Sequence, residues 1–137
     1  MNDVRVLNPG AASGEVIVLD EPLSFWGAFE PRTGAIIDVH HPQRGAILTG
    51  RIVLMRESRG SGSAPGAIAE AIRLGTGPAG LILVAPDINL AVGAAVAATL
   101  YGRRCPVLAV SEDLFAGLAK HTRLAIYEGG AISAETG

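Results

Sequence analysis

"RIVLM" (Arg51 to Met55), "RGSGSAPG" (Arg59 to Gly66) and "AIAEAIRLG" (Ala67 to Gly75) follow one another almost without interruption. The first is a continuous apolar run, the pattern of a strand covered on both faces. The third sets Ile68, Ala71 and Ile72 on one helical stripe and turns Glu70 and Arg73 away from it. Pro65 falls in the first helical turn, where its missing N–H does no harm. The serine-bearing stretch therefore joins the carboxyl end of a strand to the N-terminus of a helix.

Strands and helices go on alternating downstream, with no internal repeat. "GLILVA" (Gly80 to Ala85), "CPVLAV" (Cys105 to Val110) and "RLAIYE" (Arg123 to Glu128) are apolar runs separated by helical stretches. Asp87 is placed to cap a helix from Ile88. Ser111 is placed to cap another, with Glu112 and Asp113 in its first turn and Lys120 and His121 near its end, both suited to the helix dipole. Ile88 to Tyr101 is apolar nearly all round and too short to cross a bilayer, which predicts a buried helix. Upstream, "EVIVLD" (Glu15 to Asp20), "GAIIDV" (Gly34 to Val39) and "GAILTG" (Gly45 to Gly50) read as short strands punctuated by Pro and Gly turns. The expected fold class is α/β. Strands near residues 52, 81, 107 and 124 form a largely parallel sheet, and the N-terminal strands pack on it as a second β layer.

The 137 residues suit one domain, 1–137, able to bury a sizeable core. Apolar residues at 49% against 18% charged argue for a packed fold rather than disorder. A net charge of −2 supplies no basic stripe for a phosphate backbone, so nucleic acid is not an expected partner. The single cysteine, Cys105, excludes an internal disulfide and a thiolate-built metal site, and reads as a small buried hydrophobe at a strand start. With no signal-like N-terminus and no long apolar span, no membrane association is expected and the localisation read from the sequence is cytoplasmic.

Several chemistries of Gly/Ser loops fail on spacing. A phosphate-binding Walker loop needs Lys after its last glycine, and the only lysine is Lys120. Gly60, Gly62 and Gly66 are one residue too wide for the dinucleotide fingerprint. Neither Ser61 nor Ser63 sits in the G-x-S-x-G of a nucleophile elbow. Two readings stay open: a solvent-facing connector with a helix cap, or a site where backbone N–H groups and two hydroxyls hold a carboxylate or phosphate.

"LDEPLSFWGAFEPRTGAIIDVHHPQRG" (Leu19 to Gly45), followed by "RGSGS" and "EAIRLGTGPAGLIL", resembles the small swivelling subunit of the aconitase X family, over about Gly14 to Glu128. The resemblance implies a swivelling β/β/α domain that closes over a separate large catalytic subunit. That partner would hold the iron–sulfur cluster or metal, with none bound by this chain. Members are dehydratases, including cis-3-hydroxy-L-proline dehydratase and phosphomevalonate dehydratase, so the implied substrate is a small carboxylate or a phosphorylated acid. By the same resemblance Ser61 is the catalytic base and Ser63 assists in binding substrate; Arg59, Gly60 and Gly62 are read beside them as substrate-binding members of the anion-holding loop.

Trp26, bracketed by Phe25 and Phe29, reads either as a hydrophobic cluster under a loop or, with Phe25, as a lid or interface anchor. His40 and His41 are adjacent and point apart on extended chain, so they do not chelate one ion. They read as a turn, or as groups near substrate or partner. Asp20 and Glu21 read as solvated acids at a strand end.

Overall fold

The computed structural model describes residues 3–58 and 64–135. Nine strands and three helices are seen among them: β1 (Val4–Asn8), β2 (Ala12–Val18), β3 (Phe29–Glu30), β4 (Ala35–Ile36), β5 (Ile52–Met55), α1 (Ala64–Leu74), β6 (Gly80–Leu83), α2 (Ile88–Tyr101), β7 (Val107–Val110), α3 (Glu112–Leu118), β8 (Arg123–Ile126) and β9 (Ile132–Ala134). Seven strands form one sheet in the order β1-β7-β6-β5-β2-β8-β9. The central four are parallel, with Val16 opposite Ile52, Ile52 opposite Gly80 and Leu81 opposite Val107. The outer three run antiparallel to their neighbours.

The run at Arg123 therefore does not extend the parallel sheet beside β7, as its pattern suggested. Its strand, β8, pairs antiparallel with the first half of β2, Ala12 opposite Ile126 and Glu15 opposite Arg123. The free edge of β7 is already filled by β1, Val4 against Val110. The short α3, about 10 Å long, instead caps the opposite sheet face, and the chain returns to the other edge. The expected N-terminal β layer is also smaller than its sequence suggests. β2 joins the main sheet, "GAIIDV" contributes only Ala35–Ile36, and "GAILTG" only a bridge from Ile47 to Ala35.

Strand alternation divides the apolar side chains between two cores. Val53, Met55, Leu81 and Leu83 face α1 and α2, while Ile52, Leu54, Ile82 and Leu108 face Phe115 and Leu118 of α3 and Leu124 of β8. Both faces being covered is why these strands read as unbroken apolar runs. Cys105 lies buried on the helical side, and the amide of buried Asn8 donates to its carbonyl at 2.9 Å.

Both caps form as their residues dictate. Asp87 accepts from the N–H groups of Asn89 and Leu90, and Ser111 from that of Leu114. α2 ends on Gly102 at φ 64°, a left-handed C-cap that glycine adopts without strain. α3 stops at Leu118, before Lys120 and His121. α2 is not buried all round. Leu90, Ala91, Ala94 and Ala97 face inward, but Ile88 and Leu100 are 66% and 64% exposed. This helix is an outer layer, packed against α1, β1 and β7 on its inner side, while Ile88, Val92, Val96 and Leu100 stay exposed.

Candidate functional site

Arg59, Gly60, Ser61, Gly62 and Ser63 lie outside the described residues, so the site is built from what flanks them. The approach is tightly held. Leu19 N–H donates to Leu54 carbonyl at 2.8 Å, and the Arg56 carbonyl accepts from Val84 and Ala85 at 3.0 and 2.8 Å. Arg56 also pairs with Glu112 at 2.8 Å and lies over the Phe115 ring, 4.8 Å from its centroid. Ser58 bridges to Leu23 in parallel register, and its hydroxyl donates to the Asp87 carboxylate. On the far side the helix resumes at once with buried Ala64. The serine stretch thus leaves from the carboxyl edge of the parallel sheet, where ligands of open α/β sheets bind, and delivers the chain to a helix N-terminus.

Trp26 is 60% exposed. A turn in which the Ser24 hydroxyl bonds the Trp26 carbonyl and N–H at 2.9 and 3.2 Å presents it outward. Phe25 points the other way, is buried, and packs on Phe29 with centroids 5.0 Å apart. Between them opens a cavity of about 500 Å³ whose far wall includes Gly66, Ala67 and Glu70 of α1. The structure therefore brings Trp26 and the exit of the serine stretch to one mostly apolar hollow, across some 40 residues of sequence that carry no local signal of it.

The two histidines part company. His40 is exposed, its N–H bonded to Asp38 at 2.9 Å. His41 is buried, and both ring nitrogens are engaged. Nδ1 accepts from Gln43 N–H at 3.0 Å, which leaves Nε2–H to donate to the Glu21 carbonyl at 3.1 Å. Gln43 completes the clamp by accepting from Asp20 N–H and donating to the Val18 carbonyl, both at 2.8 Å. The "DEPL" and "HHPQ" segments are thus tied together, and their polar residues hold the chain beyond β2. Gln43 and Asp87 are the positioning residues that sequence reading passed over or read only as a cap. A Gln within "HHPQRG" was the available signal for the first.

Cys105 does not fit a cluster or metal ligand. It is 1% exposed, and burial pushes its thiol up to about 12 from an ordinary 9.0. Among the described residues no three His, Cys, Asp or Glu side chains converge on a common point. The acids that depart from ordinary values are half-buried Glu30 and exposed Glu70, held low by hydrogen bonds from Arg32 and Arg73. Both carboxylates lie on the wall of the hollow beneath Trp26, each paired to its arginine.

Residues 2–134 match the aconitase X swivel domain. The chain belongs to that family. It is 42% identical over 79% of its length to a cis-3-hydroxy-L-proline dehydratase of Pseudomonas aeruginosa, and 36% identical over 90% to one of Hypocrea jecorina. It spans only 19% and 21% of the length of those two proteins. To the phosphomevalonate dehydratase small subunit of Methanothermobacter thermautotrophicus it is 36% identical over 69% of itself and 72% of that subunit. Two solved structures share the fold at 24% identity. The crystal structure of Thermococcus kodakaraensis aconitase X in its holo form aligns over 96% of this chain and 95% of that one with a TM-score of 0.79. A UPF0107 protein solved by solution NMR aligns over 98% of both with a TM-score of 0.84. An aconitase X swivel domain with this arrangement of layers accounts for the parallel centre, the antiparallel edges and the strand-to-helix placement of the serine stretch.

Proposed function

We propose that this chain is the swivelling component of an aconitase X hydro-lyase, that it works with a larger catalytic polypeptide, and that it brings Ser61 to the reaction as the base. The observation that supports this most is the membership of residues 2–134 in the family, joined to the flanks of the serine stretch, the carboxyl end of parallel strand β5 before it and the N-terminus of α1 after it. The preferred substrate is cis-3-hydroxy-L-proline, on the 42% identity to a dehydratase of that compound. The second reading is a phosphomevalonate dehydratase. It is favoured by the chain's 72% coverage of a stand-alone small subunit.

In this reading Ser61 Oγ removes a proton from the substrate, while Ser63, Arg59 and the N–H groups of Gly60 and Gly62 hold its carboxylate or phosphate. A serine hydroxyl is a weak base. A helix N-terminus contributes at most about 2 kcal/mol, or roughly 1.5 pKa units, so further donors or cations must come from across an interface sealed from water. An iron–sulfur cluster or metal, where present, is the partner's, because Cys105 faces the core.

The test is to co-produce the chain with its large polypeptide and assay both substrates. Ser61→Ala should assemble normally and lose about 10²- to 10⁴-fold in turnover, the usual contribution of a proton-transfer group. Full turnover by Ser61→Ala, or by this chain alone, defeats the proposal. A variant that loses only ligand affinity would point to an anion-binding module instead.

A further inference from the structure

α2 carries no charged residue along its 14 positions, and its outward stripe is as apolar as its inward one. The contrast with its neighbour is informative. α1 covers its solvent side with the Glu70–Arg73 ion pair at 2.5 Å, whereas α2 exposes Ile88, Val92, Val96 and Leu100 at 66, 45, 39 and 64%. These recur every four residues, so they form one ridge. Beside it Ala95 and Thr99, both small, leave a hollow of about 380 Å³ along the helix. A helix apolar all round belongs inside a structure, so the open face of α2 lacks the cover that its composition calls for.

Size decides what covers it. A 14-residue helix is about 21 Å long, and a stripe some 10 Å wide gives a footprint on the order of 200 Å². A self-standing interface needs about 800 Å² from each partner. The ridge is therefore too small to hold two copies of this chain together and suits one part of a broader contact. The segments matched to this chain make up 19% and 21% of two similar dehydratases, so most of each of those polypeptides lies outside the match. We infer that the Ile88–Leu100 ridge of α2 docks on an apolar surface of the catalytic polypeptide, which inserts a side chain of leucine or phenylalanine size between Val92, Val96 and Leu100. This rests on the functional reading above, since it requires that polypeptide.

The experiment uses the chain co-produced with its catalytic polypeptide, and compares wild type with Val96→Glu and with Leu100→Lys. Both positions are exposed, so the isolated variants should keep the circular dichroism and melting temperature of wild type. If Val96→Glu unfolds, Leu100→Lys in the last turn carries the test. The expected result is at least a tenfold rise in the Kd for the catalytic polypeptide, with Ser61→Ala binding like wild type. An unchanged Kd in the folded variants overturns the docking surface and leaves the functional reading standing. A wild-type chain that never binds the catalytic polypeptide overturns both. A stable homodimer of the isolated chain that Val96→Glu dissolves would assign the ridge to a second copy and refute the inference.

Discussion

The Ser58 hydroxyl donates to one carboxylate oxygen of Asp87 while the other accepts from Asn89 and Leu90 N–H at 2.8 and 3.2 Å. One side chain thus caps α2 and pins the chain at the last described residue before the serine stretch. Asp87→Ala removes both functions and should cost about 1–2 kcal/mol. Asp87→Asn keeps a capping oxygen and should cost less than half of that. Urea midpoints at constant m-value separate the two, and equal costs would show that the cap is idle.

Gly93 sets how closely α1 and α2 cross. A Cβ there would lie 2.2 Å from Ile68 Cγ2 and 2.7 Å from the Pro65 carbonyl oxygen. Alanine in place of glycine gains about 1 kcal/mol of helix propensity. Ile68 is fully buried and the second obstacle is backbone, so neither can swing aside, and overpacking costs about 1–3 kcal/mol. Gly93→Ala should therefore lower the melting temperature, whereas Ala95→Gly on the exposed side should lower it only through propensity. A stabilised Gly93→Ala protein would refute the close crossing.

Cys105 gives a pH dependence of known sign. Its thiol holds its proton to about pH 12 in the fold, against 9.0 when exposed. Between those values the unfolded chain has released a proton that the native chain keeps, so stability falls as pH rises, by about 1.4 kcal/mol per unit. Below pH 9 this contribution is flat. Thiol reagents at pH 8 should react with Cys105 only after unfolding, and rapid labelling of the native protein would contradict its burial.

Trp26 is the sole tryptophan and is 60% exposed, so its emission reports one site. The isolated chain should fluoresce like a solvated indole, and association with the catalytic polypeptide should shift the emission to the blue. Trp26→Ala should weaken that association by at least tenfold, the scale of an interfacial aromatic anchor. Emission that does not move on assembly would place Trp26 outside the contact.

The amino-acid sequence by itself determined what short-range physics controls. The apolar runs at 52, 81 and 107 are strands because both faces are covered, Asp87 and Ser111 are caps because their side chains reach the first free N–H groups, and Cys105 is inside. The motifs "DEPLSFWG" and "HHPQRG" carried the family resemblance, which the match over residues 2–134 bears out. Only the tertiary structure decided that β8 pairs antiparallel with β2, since strand partnership depends on which edges distant segments have already filled, and β1 holds the edge of β7. It also decided that His41 and Gln43 clamp residues 18–21, that Trp26 shares a hollow with α1, and that one face of α2 is open. Periodicity shows that a helix is apolar all round, but whether each side is covered depends on how many neighbouring layers the chain can supply, and here it supplies them on one side.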